Sequence, residues 1–142
     1  MDGDISFDTA NYQGTDLLLL IGSDVWAASA DPILSRRLQA RAAQNRPIAA
    51  ICGATLALAH AGLLNDRAHT SNSLDFVKGA SEYAGEAHFR DVPHAVTDGS
   101  LVTAPGTAPL SFACAAALLV LPDKRTEIEA FWNAVRREGE AL

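Results

Sequence analysis

Leu17-Leu18-Leu19-Leu20-Ile21 is an unbroken apolar run between Asp16 and Gly22, the pattern of a strand covered by helices on both faces. Asp31-Pro32 then offers an N-cap with proline at the first helical position, and Ile33, Leu34, Leu38 and Ala42 recur at helical spacing to about Asn45. This predicts a helix that crosses the sheet. A second short apolar run, Pro47 to Ile51, leads at once into Cys52-Gly53 and the helix-forming stretch Ala54 to Ala61, closed by Gly62. The predicted order is strand, abrupt turn, helix. Arg67 to Ser71 reads as a further strand, Leu74 to Glu82 as a short helix, and Ala95-Val96-Thr97 with Leu101-Val102-Thr103 as a hairpin around Asp98-Gly99. Thr107 to Leu121 is rich in Ala and Leu, with Pro109 near its start, and predicts a buried helix. Thr126 with Glu129 resembles a capping box that opens a last helix through Arg137, with Ile128, Phe131, Trp132 and Val135 on its apolar face. Strands alternating with helices imply a mostly parallel, three-layered α/β sandwich with right-handed crossovers. No repeat, linker or low-complexity stretch interrupts it, so residues 1–142 read as one domain.

Composition narrows the function classes. With 49% apolar and 20% charged residues over 142 positions, the chain is long enough to bury one sizeable core. The apolar runs fall well short of the roughly 20 residues of a spanning helix, and the start, Met1-Asp2-Gly3-Asp4, lacks the basic and apolar stretches of a secretory signal. A cytoplasmic location is expected. Eleven basic against seventeen acidic residues give a net charge of −6, which argues against nucleic acid or an anionic membrane as a partner. The one basic cluster, Arg36-Arg37 with Arg41, reads as a solvated helix face. Cys52 and Cys114 lie far apart in apolar surroundings and supply neither a disulfide framework nor a zinc quartet.

Cys52 sits where a buried strand turns sharply into a helix. Such a turn, a nucleophile elbow, forces its residue into a strained backbone conformation and exposes the side chain at the carboxyl end of the sheet; small neighbours such as Gly53 and Ala54 avoid a clash. The first N–H groups of the helix then face the sulfur, a setting that suits a reactive cysteine. A cysteine before an alanine-rich helix also reads as a small core residue, and both readings stand on spacing alone. The run Leu20-Ile21-Gly22-Ser23 ends a second strand on the same edge, so N–H groups at Gly22 or Ser23, with that of Gly53, would form an oxyanion hole facing Cys52. The alternative is a plain strand-to-loop turn.

The resemblance becomes specific at Ala50-Ile51-Cys52-Gly53-Ala54-Thr55, followed by Ala61-Gly62-Leu63-Leu64, His69-Thr70-Ser71-Asn72, Asp98-Gly99-Ser100-Leu101-Val102-Thr103-Ala104 and Gly106-Thr107-Ala108-Pro109. In this order the motifs resemble the PfpI/ThiJ superfamily, which includes class I glutamine amidotransferase-like proteins, intracellular protease/amidases and the Parkinson's-disease-associated protein deglycase. The resemblance runs from about Asp16 to Leu121. It implies a flavodoxin-like fold, Cys52 as nucleophile, Gly22/Ser23 and Gly53 as oxyanion donors, and a homodimer. Two departures stand out. Relatives begin with a βα unit that supplies a central strand and a glutamate hydrogen-bonded to the cysteine, whereas this sequence starts beyond that point, at Asp2-Gly3-Asp4-Ile5-Ser6-Phe7; the expectation is a fold without that unit, in which either the start is truncated or misassigned or another element, such as one from a second subunit, fills the gap in the sheet. Where several relatives place a catalytic histidine, this chain has Asn72. His69 remains as a candidate general base, or as a hydrogen-bonded structural residue, and Asn72 as a residue that orients a substrate amide or a water.

The other candidates are weaker. His60 reads as packed or solvated on the helix after Cys52, His88 and His94 with Glu86 and Asp91 match no zinc spacing, and Cys114 reads as a core residue. Trp26 either walls the crevice or anchors a loop. No metal is expected, and with no G-x-G-x-x-G or Walker pattern no cofactor is expected either. The leading expectation is a cysteine hydrolase or amidase acting on a small-molecule carbonyl or amide; the alternatives are a redox-responsive, stress-related domain and a degenerate structural subunit.

Overall fold

The computed structural model describes residues 16–27 and 30–137; the features noted at Met1 to Phe7 lie outside them. Among the described residues four strands form one mixed sheet: β1 (Leu18–Leu20), β2 (Ile48–Ile51), β3 (Val96–Asp98) and β4 (Leu101–Ala104), in the order β1-β2-β4-β3. β1, β2 and β4 run parallel, and β3 joins β4 antiparallel. The helices are α1 (Pro32–Ala43), α2 (Thr55–His60), α3 (Leu74–Val77), α4 (Pro109–Val120) and α5 (Arg125–Val135). Helices cover both faces of the sheet, which makes the fold flavodoxin-like.

Period-two alternation divides the core. Ile48 and Ala50 of β2 face a cluster built with Leu34, Leu38 and Ala42 of α1 and Leu56 to Ala59 of α2. Ala49 and Ile51 face the opposite cluster, with Val102, Ala104, Phe112 and Ala116. β2 is buried at every position, as a central parallel strand must be. Its carboxyl end carries Cys52.

Local chemistry explains most element boundaries. The Asp31 carboxylate accepts from the N–H groups of Ile33 and Leu34 at 2.8 and 3.2 Å, with Pro32 behind it. α1 ends at Ala43 with Gln44 as its C-cap, and Asn45 follows at φ 53°, the left-handed stop that asparagine tolerates. In the β3–β4 hairpin Asp98 pairs with Leu101, so the two-residue loop is Gly99-Ser100, with Gly99 at φ 57°.

Several expectations are corrected. β1 is covered on one face only: it is the outermost strand on its side among the described residues, α4 packs over β2 and β4, and Leu19 and Ile21 stay 47% and 59% exposed. Residues 67–71 form a single parallel bridge, His69 with Phe89, rather than a strand. Side chains of the hairpin replace the ladder there, because the Ala68 N–H donates to the Asp98 carboxylate (2.8 Å) and the Thr70 N–H to the Thr103 hydroxyl (2.9 Å). The helix expected to reach Glu82 stops at Val77, just before Gly79. α5 starts at Arg125, one residue before the expected cap, and Glu129 pairs with Arg125 at 3.2 Å instead of closing a capping box. Arg41 does not lie on a solvated face: it is fully buried, and its guanidinium donates to the Pro47 carbonyl at 3.1 and 3.0 Å, fastening α1 to the start of β2. Burial lowers its pKa, with nearby Arg46 adding to the effect. Cys114 is only partly buried, because α5 leaves a cleft against α4 that Cys114 lines with Ile128 and Trp132.

Candidate active site

β2 arrives at Ile51 in extended conformation (φ −125°, ψ 143°), and one residue later the chain turns into a 3-10 turn, Cys52–Ala54, that runs directly into α2. Cys52 absorbs the change of direction with φ 60°. For a residue with a Cβ this region costs about 1–3 kcal/mol, so the surroundings must hold it.

Three glycines allow the close approach of the segments around Cys52. A Cβ at Gly22, just beyond β1, would stand 2.8 Å from the Cys52 Cβ; one at Gly106 would stand 2.8 Å from Cys52 Sγ; one at Gly53 would stand 2.7 Å from the Ser23 carbonyl oxygen. No side chain fits at these separations. The loops after β1 and β4 therefore close on Cys52 from two sides, at the carboxyl ends of parallel strands where an α/β sheet opens its crevice.

Asn72 fixes a third side. Its Oδ1 accepts from the Gly106 N–H at 2.9 Å, which settles the orientation of the amide, and its Nδ2 donates to Cys52 Sγ at 3.5 Å. Behind the sulfur, the Thr55 hydroxyl donates to the Cys52 carbonyl at 2.8 Å and lies 2.7 Å from the Ser71 hydroxyl. Ser71 and Asn72 thus hold Cys52 from back and front. Cys52 opens into a cavity of about 420 Å³ lined also by Gly22, Ser23, Asp24, Gly53, Asn72 and Phe76. That volume suits a small molecule.

The structure brings Cys52, Gly22, Ser23, Gly53 and Asn72 together and sets His69 apart. His69 is fully buried and does not line the cavity. Its Nδ1 lies 2.6 Å from the Arg67 carbonyl, which can only accept, so Nδ1 carries the proton; Nε2, 2.8 Å from the Tyr83 hydroxyl, then accepts. Tyr83 and Phe89 also pack edge-on against the ring. Burial lowers the His69 pKa, outweighing the Arg67 carbonyl bond that raises it, and His88 and Arg90 add to the lowering. Both ring nitrogens are committed, so His69 offers Cys52 no free lone pair, and its expected place as general base gives way to the structural one.

Other candidates also find their places. Trp26 anchors the loop after β1 through a 2.7 Å bond from its indole N–H to the Ile21 carbonyl. His60 meets Glu82 at 2.8 Å and, chiefly through this bond, holds that carboxyl below its usual range. Among the described residues no three His, Cys, Asp or Glu side chains gather as metal ligands, and no helix is long and apolar enough to cross a membrane. Sequence reasoning missed Gly106, Thr55 and Ser71 as site residues, although each lies within a motif that carried the resemblance.

The DJ-1/PfpI family profile matches residues 1–119. The chain belongs to the DJ-1/PfpI family. Among curated relatives it is 42% identical over 111 residues to the uncharacterized protease YoaZ of Bacillus subtilis, covering 78% of this chain and 52% of that protein. Among solved structures of the superfamily, the protein Atu0886 from Agrobacterium tumefaciens superposes with a TM-score of 0.74 at 38% identity, over 87% of this chain and 68% of that one. A thiJ/pfpI family protein from Bacillus anthracis gives 0.68 at 39% identity, over 84% and 57%. The chain spans about half the length of the curated relatives it matches.

Proposed function

We propose that this DJ-1/PfpI family member is a cysteine-dependent hydrolase or amidase acting on a small carbonyl or amide compound, with Cys52 as nucleophile. The observation that carries the reading is the Cys52 backbone, held at φ 60° at the end of β2 with its sulfur between two glycines in the cavity. A turn this constrained around a sulfur serves an exposed nucleophile better than a packing residue. The Cys52 sulfur attacks the carbonyl carbon to form a C–S bond while the C=O electron pair moves onto oxygen. The N–H groups of Gly53 and of Gly22 or Ser23 receive that oxyanion, collapse expels the amine or alcohol, and water carries the proton and then releases the acyl group. Asn72 orients the sulfur and the incoming amide. Homodimerisation and a cytoplasmic site of action complete the proposal; light scattering across a concentration series checks the first, and a monomer throughout removes it. The curated relatives are named as uncharacterized proteases, which agrees with a hydrolase at the level of class.

The test is acyl transfer from p-nitrophenyl acetate, read by peptide mass spectrometry. An acetyl group is expected on Cys52, lost in Cys52→Ala and retained in Cys114→Ala. Equal labelling of both cysteines, or none, overturns the reading. A second reading, a redox-responsive domain, is favoured by one observation: apart from Cys52, Asp24 is the only titratable side chain lining the cavity among the described residues. Selective oxygen addition at Cys52 under mild peroxide, with no acyl transfer, would establish that alternative.

A further inference from the structure

We propose that Thr55 and Ser71 are positioning residues that aim and polarise the Gly53 N–H toward the oxyanion, an inference that rests on the reading of Cys52 as nucleophile. Two buried hydroxyls carry it: Thr55 is 0% and Ser71 4% exposed. The Thr55 hydroxyl has one proton, and it goes to the Cys52 carbonyl at 2.8 Å. Across the 2.7 Å contact between the two hydroxyls, Ser71 is therefore the donor. The chain of bonds runs one way, from Ser71 to Thr55 to the Cys52 carbonyl.

That carbonyl also accepts the Thr55 backbone N–H, so two bonds pin one oxygen. The Cys52 carbonyl and the Gly53 N–H belong to the same peptide unit, which is trans like the others, and in a trans peptide the two groups point in opposite directions. Fixing the oxygen on the buried side fixes the N–H toward the cavity that Gly53 lines. Donation to the carbonyl also withdraws charge through the peptide and strengthens its N–H as a donor, the cooperative effect of hydrogen-bond chains. A rotation of this peptide would turn the donor away from the cavity; the two hydroxyls oppose it.

The experiment compares two reactions of one sulfur. Acylation by p-nitrophenyl acetate forms the S–C(acyl) bond, breaks the ester C–O bond and releases p-nitrophenolate through a tetrahedral oxyanion. Alkylation by iodoacetamide forms an S–CH₂ bond and releases iodide with no oxyanion at all. Thr55→Val is expected to slow Cys52 acylation roughly 10-fold, less than outright loss of an oxyanion donor, and alkylation by less than about 2-fold. Thr55→Ser, which keeps the hydroxyl, is expected to restore most of the acylation rate, and Ser71→Ala to slow acylation roughly 3-fold. An unchanged ratio of the two rates in Thr55→Val, or an equal fall in Thr55→Ser, overturns the proposal. Should Thr55→Val fail to fold, the ratio in Ser71→Ala decides in the same way. If wild-type Cys52 takes neither reagent faster than Cys114 does, the nucleophile reading falls and this inference with it; fast alkylation with an unchanged ratio in the variants removes this inference alone.

Discussion

The two cysteines are one element type in two settings, and the difference shows what a site requires beyond the residue itself. Cys114 lies mid-helix on α4 in regular conformation, in a cleft of about 370 Å³ whose walls include Ile128 and Trp132. Burial pushes its thiol up. Cys52 is held outside regular geometry, with glycine on two sides and an amide donor on a third. An apolar cleft is made by leaving two helices imperfectly packed, whereas the Cys52 setting needs the ends of β1, β2 and β4 and the segment at 71–72 to converge. The first tolerates many sequences and the second few.

The sharpest way to break this contrast is Gly106→Ala. A methyl group 2.8 Å from Cys52 Sγ must displace either the sulfur or the backbone of the loop after β4, and that loop also holds Asn72 through the Gly106 N–H. Overpacking of this kind costs about 1–3 kcal/mol. Alkylation of Cys52 by iodoacetamide is expected to fall at least 10-fold, in line with that range, while Cys114 in the same molecule reacts as before. Equal rates at Cys52 in the variant and the wild type would show that the glycine contacts are incidental.

How much of this was legible beforehand follows the range of the interactions involved. The β2–Cys52–α2 junction is contiguous in sequence, so an apolar run, a Cys-Gly pair and an alanine-rich stretch were enough to place it. Asp31-Pro32 and the hairpin glycine are local for the same reason. The fate of residues 67–71 was not legible, because the partners that take their backbone N–H groups, Asp98 and Thr103, lie about thirty residues away. Nor was the burial of Arg41: its spacing matches Arg37 on a helix face, and the Pro47 carbonyl it donates to lies beyond the helix. The same limit applied to His69. The Tyr83 hydroxyl that occupies its second nitrogen comes from a loop whose approach no local pattern encodes.

His69 supplies the next test, since the comparison with Cys52 holds only if that histidine is structural. Its folded pKa is lowered, chiefly by burial, so between the folded and unfolded values the unfolded chain binds the additional proton. Stability is then full above the unfolded value near 6.5 and declines as pH falls through that point, with a slope from this one group of at most about 1.4 kcal/mol per pH unit. Urea midpoints measured between pH 7.5 and 5.5 are expected to drop on the acid side, and His69→Gln is expected to flatten the curve while leaving Cys52 acylation within about 2-fold, because the ring lies outside the cavity. Loss of acylation with no change in the pH dependence of stability would return His69 to the site.

The smallest effect is expected at Asn72, and its size is informative. The Nδ2 to Sγ separation of 3.5 Å is a weak contact, whereas the 2.9 Å bond from Gly106 to Oδ1 is a full one. Asn72→Ala should therefore act mainly by loosening the loop at Gly106 rather than by removing a donor from sulfur, and a roughly 3-fold fall in Cys52 alkylation is expected. Asn72→Asp separates the two contributions: it keeps an acceptor for the Gly106 N–H but replaces the donor facing sulfur with a negative charge. If the Gly106 bond matters most, the aspartate variant alkylates faster than the alanine variant; if the donor to sulfur matters most, it alkylates more slowly, since a carboxylate beside the sulfur opposes formation of the reactive thiolate. The weak geometry favours the first outcome, and the second would mean that the amide donor is as integral to the Cys52 setting as the glycines around it.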